Sequence, residues 1–150
     1  MPLTVRSPVA GRVIPTDEVP DPVFAGGLVG PGTAVEPTGD DVTAPVDGRV
    51  VKLHPHAFVV QIPDGPAVLV HLGIDTVQLG GEGFTLHVAE GDEVAAGDPV
   101  VTWSPAAVRD GGRSAACPVV VLEAPPEQVE LLAAPGSDVS TGDPLLTLWA

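Results

Sequence analysis

The sequence predicts an all-β fold, an antiparallel β-sandwich or barrel-sandwich with short helical turns. Three observations support this class. The chain has 18 Gly and 18 Pro in 150 residues, dispersed as turn residues between short aliphatic runs. Helical periodicity is poor almost everywhere, and two weak internal repeats are present.

The predicted strands are short runs of aliphatic or β-branched residues bounded by Gly, Pro and Asp. They are residues 50–51, 57–62, 67–72, 99–103, 118–122 and 144–148. Two segments, 19–24 and 126–132, are expected to hold one or two helical turns. No linker interrupts the pattern, so residues 1–150 are predicted to form a single domain, with 1–6 as a short N-terminal tail.

Each repeat places a Gly turn beside a Val-rich strand. Residues 7–14 read SPVAGRVI and 44–51 read APVDGRVV, while 89–101 read AEGDEVAAGDPVV and 134–146 read APGSDVSTGDPLL. A solenoid needs at least three copies, so two copies favour a pseudo-symmetric barrel or sandwich.

Charge and composition exclude several functions. The net charge is −14 and there are only six Lys and Arg, which argues against nucleic-acid binding and against an anionic membrane surface. The N-terminus lacks the apolar stretch of a signal peptide, and no segment approaches a membrane span. We therefore expect a cytoplasmic protein, in which the single cysteine, Cys117, is a buried and inert thiol.

Three of the four histidines lie in residues 54–76, HPHAFVVQIPDGPAVLVHLGIDT. If a hairpin pairs residue 62 with residue 67, Phe58 lies opposite His71 and His56 lies diagonal to it on the same face. The same register puts His54 opposite Asp75. A slip of one residue would change the faces, so this inference depends on the register.

The predicted pair suits either nucleophilic or metal chemistry. Apolar neighbours desolvate His71 and favour neutral imidazole, whose free lone pair attacks an electrophile or binds a metal. His87 has no comparable neighbours and is interpreted as structural.

Two alternatives have specific weaknesses. His71-x-x-x-Asp75 and His54-x-His56 resemble zinc motifs of lysostaphin-like metallopeptidases, but the two elements occur here in reversed order and without a secretion signal. A biotin- or lipoate-type carrier needs a lysine at a hairpin tip, whereas Lys52, the only lysine, lies inside a Val-rich run.

The chain resembles the glucose-family enzyme IIA of the bacterial sugar phosphotransferase system. The resemblance runs in order from Ser7 to about Val121 and is carried by SPVAGRVI, EVPDPVFAGGLVGPGTAVEPTGD, VTAPVDGRV, HAF, VHLGIDTVQLGGEGF, AEGDEVAAGDPVV and PVV. The block VHLGIDTVQLGGEGF is highly specific for this family.

The resemblance implies a phosphocarrier. It implies that His71 takes a phosphoryl group from the phosphohistidine of HPr and donates it to a cysteine on the IIB domain of a sugar permease. It further implies that His56 stabilises the phosphoryl group, and that the sugar is glucose or N-acetylglucosamine. Amides near Gly73 are expected to donate hydrogen bonds to the phosphoryl group, and Asp75 to bond a ring nitrogen or the backbone.

The resemblance also implies an apolar docking face and a conditional metal site. The face comprises Val23, Phe24, Leu28, Val29, Leu53 and Leu69. No cofactor is required, but His56 and His71 are candidate ligands of a zinc ion whose coordination a partner completes. Relatives commonly have Thr where this chain has His54, so that imidazole is either an additional phosphate or metal contact or a solvated residue at a strand end.

Overall fold

The computed structural model describes residues 2–27 and 29–149. Within these residues the secondary structure consists almost entirely of short strands. The strands are β1 Pro2–Arg6, β2 Gly11–Ile14, β3 Gly32–Pro37, β4 Asp41–Thr43, β5 Gly48–His54, β6 Ala57–Gln61, β7 Ala67–His71, β8 Thr85–Leu86, β9 Glu93–Val94, β10 Pro99–Thr102, β11 Cys117–Leu122, β12 Val129–Leu131, β13 Asp138–Val139 and β14 Pro144–Trp149. The helices are α1 Pro22–Ala25 and α2 Pro105–Asp110, with 3-10 turns at Thr16–Glu18, Thr76–Leu79 and Pro126–Gln128.

These strands form three antiparallel sheets, which confirms the predicted fold class. The largest has eight strands in the order β13-β2-β3-β11-β7-β6-β5-β9. Two three-stranded sheets, β1-β14-β12 and β4-β10-β8, complete the architecture. The predicted histidine hairpin is β6 and β7, near the middle of the large sheet.

The segment predicted as an N-terminal tail is instead a strand. Residues Pro2–Arg6 pair with β14, so that Leu3 faces Leu148 and Val5 faces Leu146. Val5 is fully buried in the main core. The alternation of Leu3 and Val5 with polar residues gives this strand one apolar side, which is a sufficient reason for it to pack on the core.

The core is built mainly from branched aliphatic side chains, in a chain with only 3% aromatic residues. The main cluster lies between the sheets and contains Val13, Val50, Val70 and Leu145 among many others. Cys117 belongs to this cluster, and burial raises the pKa of its thiol, which confirms the prediction of a buried, inert cysteine.

The two internal repeats occupy pseudo-equivalent places in the fold. Backbone hydrogen bonds made by one copy of a repeat recur at the corresponding residues of the other copy. The equivalent pairs are Arg6 N to Pro45 O and Thr43 N to Pro8 O, both 2.9 Å; Val13 N to Ser137 O and Val50 N to Asp92 O, both 2.9 Å; and Gly136 N to Val13 O and Gly91 N to Val50 O, both 2.7 Å. The repeats therefore form a pseudo-symmetric framework in which each copy braces the other.

The helical turns are only partly as predicted. Helix α1 begins after Asp21, whose carboxylate accepts a hydrogen bond from Val23 N; it overlaps the predicted segment 19–24 and ends one residue beyond it. The segment 126–132 forms one 3-10 turn followed by strand β12. Helix α2 was missed, although Ser104 followed by Pro105 is a typical helix start, with Ser104 accepting a bond from Ala107 N.

Gly11 and Gly48 occupy equivalent positions in the first repeat, and both are too close to a neighbouring strand for a side chain. A Cβ at Gly11 would overlap the carbonyl oxygen of Glu36, and one at Gly48 would overlap that of Gln61. Gly39 is a matched control, since a Cβ there would meet only Ala10 Cβ at 3.8 Å.

We expect Gly11→Ala and Gly48→Ala each to lower the free energy of unfolding by roughly 1–3 kcal/mol, because the strands must move apart to accept the methyl group. Gly39→Ala should change it by less than about 1 kcal/mol. Urea unfolding followed by circular dichroism measures all three. Equal stabilities of the Gly48 and Gly39 variants would contradict the close approach.

Candidate functional site

His71 is the last residue of β7 and lies on the outer face of the large sheet. Alternation along the strand buries Val68 and Val70 in the main core and turns Leu69 and His71 to the other side. A second, smaller cluster covers this outer face and includes Phe24 and Ile74, with Leu69 packed against it. His71 is therefore half-buried at the edge of an apolar layer.

The hairpin register differs by one residue from the predicted one. Gln61, not Ile62, faces Ala67, and so Ala57 faces His71. The loop is shorter than predicted because Ile62 N donates to Pro66 O, while Asp64 takes a left-handed conformation at φ 55°. The predictions that Phe58 lies opposite His71 and that His54 lies opposite Asp75 were therefore wrong, and His54 faces Ala57 instead.

His56 nevertheless reaches His71, from the tight turn between β5 and β6. Its carbonyl oxygen accepts a hydrogen bond of 2.7 Å from Leu72 N, which fixes this turn beside the end of β7. The two imidazoles meet edge to face, with ring centroids 5.3 Å apart and planes at 69°. The predicted convergence of the two rings is present, although it arises from a turn and not from a cross-strand diagonal.

A backbone hydrogen bond selects the tautomer of His71. Nδ1 lies 2.6 Å from the carbonyl oxygen of Gly73. A carbonyl only accepts, so Nδ1 must carry the proton. In the neutral ring the lone pair is then on Nε2, which makes Nε2 the nucleophilic atom.

Gly73 holds this acceptor in place through an unusual backbone conformation. Its φ is +79°, and a Cβ there would lie 2.6 Å from Thr76 Cγ2 and 2.9 Å from Ser114 O. Its own amide donates to Ala116 O, and Ile74 N donates to Ser114 O. These two amides are therefore already paired within the fold, and donation to a phosphoryl group from other amides near Gly73 stays a prediction. Gly73 acts through its carbonyl.

Asp75 does not bond to the imidazole of His71, in contrast to one of the two predicted roles. It sits at φ 62° directly before the 3-10 turn, and its carbonyl accepts from Gln78 N. Its side chain makes no capping bond to that turn, so the other predicted role, a bond from the carboxylate to the backbone, stays a prediction. Asp75 and Asp21 also act on His71 through charge, and Asp21 is a residue that the sequence analysis did not identify.

His54 stacks on His56 and so extends the histidine pair to a row of three. Their centroids are 5.7 Å apart and their planes meet at 25°. In this row His56 lies between His54 and His71. A contact between His54 and a phosphate or metal stays a prediction. His87 lies elsewhere, with Nε2 2.7 Å from Thr102 Oγ1.

Burial lowers the pKa of both central histidines below 6.5. For His71 the bond to Gly73 and the charges of Asp21 and Asp75 oppose this effect without cancelling it. For His56, burial is the largest cause of the lowered pKa, and electrostatic repulsion from His71 and then from His54 adds to it. Both rings are therefore held toward their neutral forms near pH 7.

The predicted docking face contains both exposed and packed side chains. Val23 is 45% exposed, whereas Phe24 is buried with its ring edge-to-face to His71 at 5.2 Å. Val29 and Leu69 are half-buried against the outer cluster. Leu53 packs partly on the main core, and Leu28 lies outside the described residues. Phe24 thus contacts the imidazole, and Val23 precedes it on α1.

Within residues 2–27 and 29–149, no three His, Cys, Asp or Glu side chains are grouped to hold a metal ion. His56 and His71 supply two of the four ligands that zinc usually takes. A zinc ion shared with a partner therefore stays a prediction. Nor does any helix in the same residues have the length and hydrophobicity to cross a membrane.

Comparison with known proteins places this site in a family. The family model of the phosphoenolpyruvate-dependent sugar phosphotransferase system, EIIA 1, matches residues 3–126. The chain is 46% identical over 122 residues to the PTS system glucose-specific EIIBCA component of Corynebacterium glutamicum, which covers 80% of this chain but only 18% of that protein. The mannose-specific EIIBCA component from the same species is 47% identical, with the same coverage.

Shorter relatives match over more of their own length. The glucose-specific EIIA component of Oceanobacillus iheyensis is 42% identical over 121 residues, covering 79% of this chain and 73% of that protein. Among solved structures, glucose permease IIA from Mycoplasma capricolum superposes with a TM-score of 0.89 at 35% identity, covering 98% of this chain and 96% of that one. The resemblance found in the sequence is thus confirmed, and the chain belongs to the EIIA 1 family of the phosphoenolpyruvate-dependent sugar phosphotransferase system, as a phosphocarrier component.

Proposed function

We propose that His71 Nε2 accepts a phosphoryl group from the phosphohistidine of HPr and passes it to a cysteine on a IIB domain. The observation that carries this proposal is the 2.6 Å bond between His71 Nδ1 and Gly73 O, which leaves the lone pair on Nε2. Family membership and the EIIBCA relatives, in which an EIIA region is joined to IIB and IIC, support the IIB partner.

The chemistry needs positioning and charge stabilisation more than additional covalent steps. Nε2 forms a bond to phosphorus while the bond from phosphorus to the donor imidazole breaks, and that electron pair returns to the donor ring. In the second transfer a cysteine thiolate forms the new bond and the electron pair returns to Nε2. Throughout both transfers the Gly73 carbonyl holds the Nδ1 proton.

His56 is proposed to stabilise the transferring group. Its ring lies edge to face with His71 at 5.3 Å, so a phosphoryl group on Nε2 would be within reach of an imidazole N–H. Because the pKa of His56 is lowered, the neutral ring is its main form before the negatively charged group arrives.

The docking face is proposed to be the apolar surface beside the imidazole, with Val23 exposed on it and Phe24 beneath. The net charge of −14 favours partners with basic surfaces around an apolar centre. These partners act in the cytoplasm, where we propose that this chain also functions.

That the transported sugar is glucose or N-acetylglucosamine stays a prediction. The glucose-specific and mannose-specific relatives match this chain at 46% and 47% identity, so similarity alone does not separate them. Uptake of labelled sugars by cells that lack this chain, with and without its gene restored, would identify the substrate.

The phosphorylation site is tested by incubation with enzyme I, HPr and phosphoenolpyruvate. We expect one acid-labile mass increase of about 80 Da per chain, because phosphohistidine hydrolyses in acid whereas phosphoserine does not. His71→Gln should abolish it and His87→Gln, the matched control away from the site, should keep it. Phosphorylation of the His71 variant would refute the assignment.

The role of His56 is tested by separating acceptance from donation. For His56→Gln we expect acceptance from HPr to be retained and transfer to a IIB domain to fall by about 10²-fold, because the amide keeps an N–H donor but does not place it where the imidazole does. Rapid-quench measurement of both half-reactions checks this. Loss of acceptance from HPr by this variant would contradict the role.

The lowered pKa of His71 predicts how the chain responds to pH. The unfolded chain binds a proton near pH 6.5 but the folded chain does so only at lower pH, so the unfolded state holds more protons in this window. Stability and the nucleophilic form should therefore both decline as pH falls below 6.5. NMR titration of the His71 ring measures the pKa directly, and a midpoint at or above 6.5 would be inconsistent with desolvation as the main effect.

A further inference from the structure

Thr76 is a polar residue buried beside the turn that follows β7. The residue is only 1% exposed, and its Oγ1 donates a hydrogen bond of 2.7 Å to the carbonyl oxygen of Leu72. Leu72 is itself fully buried, and within residues 2–27 and 29–149 no backbone amide donates to its carbonyl. The hydroxyl of Thr76 therefore satisfies an acceptor that would otherwise be unpaired and out of reach of water.

This bond acts on the peptide unit that leads into Gly73. The carbonyl of Leu72 and the amide of Gly73 belong to the same planar unit. Thr76 holds the carbonyl edge of that plane, and Ala116 O accepts from the amide edge at 3.1 Å. The plane is therefore fixed at both edges where the chain enters Gly73, whose φ is +79°. The next peptide unit then presents Gly73 O to His71 Nδ1.

The methyl group of Thr76 also faces this turn. A Cβ on Gly73 would lie 2.6 Å from Thr76 Cγ2, so the methyl group lies where the side chain of any other residue would project. Both branches of Thr76 thus adjoin the peptide that supplies the acceptor for His71. Because Thr76 is buried, neither branch is available to a docked protein.

We propose that Thr76 is a positioning residue for phosphoryl transfer, whose hydroxyl acts through the Leu72–Gly73 peptide to keep the proton of His71 on Nδ1. This inference rests on the proposed function of His71. Leu72 also donates its amide to His56 O at 2.7 Å, so the residue that Thr76 holds anchors the turn of the second imidazole as well. Thr76 bonds to the backbone and acts on the imidazole of His71 only through it.

Two variants separate the two branches of Thr76. Thr76→Val keeps a methyl group and removes the hydroxyl, whereas Thr76→Ser keeps the hydroxyl and removes the methyl group. Thr33→Val is the matched control. Thr33 is also 1% exposed, its hydroxyl donates to Ile14 O at 3.4 Å, and it lies on β3, which β11 separates from β7.

The first measurement is the tautomer of His71, read from the nitrogen-15 chemical shifts of its two ring nitrogens. It is made at about pH 8, where the lowered pKa of His71 keeps the ring neutral. We expect the proton on Nδ1 in the unmodified chain, in Thr76→Ser and in Thr33→Val, and a measurable share on Nε2 in Thr76→Val. Complete retention on Nδ1 in Thr76→Val would overturn the proposal. Loss from Nδ1 in Thr76→Ser would also overturn it, even if Thr76→Val does not fold.

The second measurement is the rate of acceptance from phosphorylated HPr. For Thr76→Val we expect kcat to fall about tenfold and KM to change by less than about twofold, because the nucleophilic atom is misplaced while the docking surface is intact. Thr76→Ser should restore kcat to within about twofold of the unmodified chain. An unchanged kcat in Thr76→Val, or an increase confined to KM, would overturn the positioning role. Acceptance by His71→Gln would instead refute the proposed function, and it would leave the tautomer result standing.

Discussion

The hydrogen bond from His71 Nδ1 to the carbonyl oxygen of Gly73 is the interaction on which the site depends. It determines which ring nitrogen is free, and it orients the ring at the edge of the outer apolar cluster. The bond forms only because the chain turns sharply after β7, with Gly73 at φ +79° between Thr76 and Ser114. A side chain at this position would move the acceptor and with it the imidazole. The chemistry of one residue thus rests on the absence of a side chain two residues later.

The pseudo-symmetric framework explains why this turn is stable. The two repeats brace one another with equivalent backbone bonds, and they lie at the two sides of the eight-stranded sheet through β2 and β5. The hairpin that carries His71 lies between them, paired to β5 on one side and to β11 on the other. Strand β11 leads from Ala116, whose carbonyl holds the amide of Gly73. His71 is therefore carried by a central strand and not by a free loop, and the turns that contribute His56 and Gly73 are tied to the strands by backbone hydrogen bonds.

The sequence was sufficient to predict the fold class and the proximity of His56 to His71, but not the backbone geometry that brings the two rings together. The predicted register failed because Pro63-Asp64-Gly65-Pro66 suggests a four-residue loop, whereas the left-handed Asp64 closes a three-residue one. No local pattern indicates which of these closures is used. The paired amides of Gly73 and Ile74 depend on Ala116 and Ser114, about 40 residues away, so spacing along the chain gave no sign of them. Helix α2 was missed because its six residues are too few for a periodic pattern, although Ser104-Pro105 marks its start.

A carrier must bind its cargo firmly enough to take it and loosely enough to pass it on, and the charges around His71 bear on that balance. Asp21 and Asp75 both favour a proton on the imidazole, while burial opposes it. A phosphoryl group on Nε2 would bring a charge of about −1.5 to −2 next to these carboxylates, on a chain whose net charge is already −14. Repulsion then raises the energy of the phosphorylated form and favours onward transfer. In the proposed role, His56, held toward its neutral form, would offer a hydrogen bond and not a full positive charge, and would stabilise the group without trapping it. The same carboxylates would attract a basic partner surface, and such a surface supplies compensating charge only while the partner is docked.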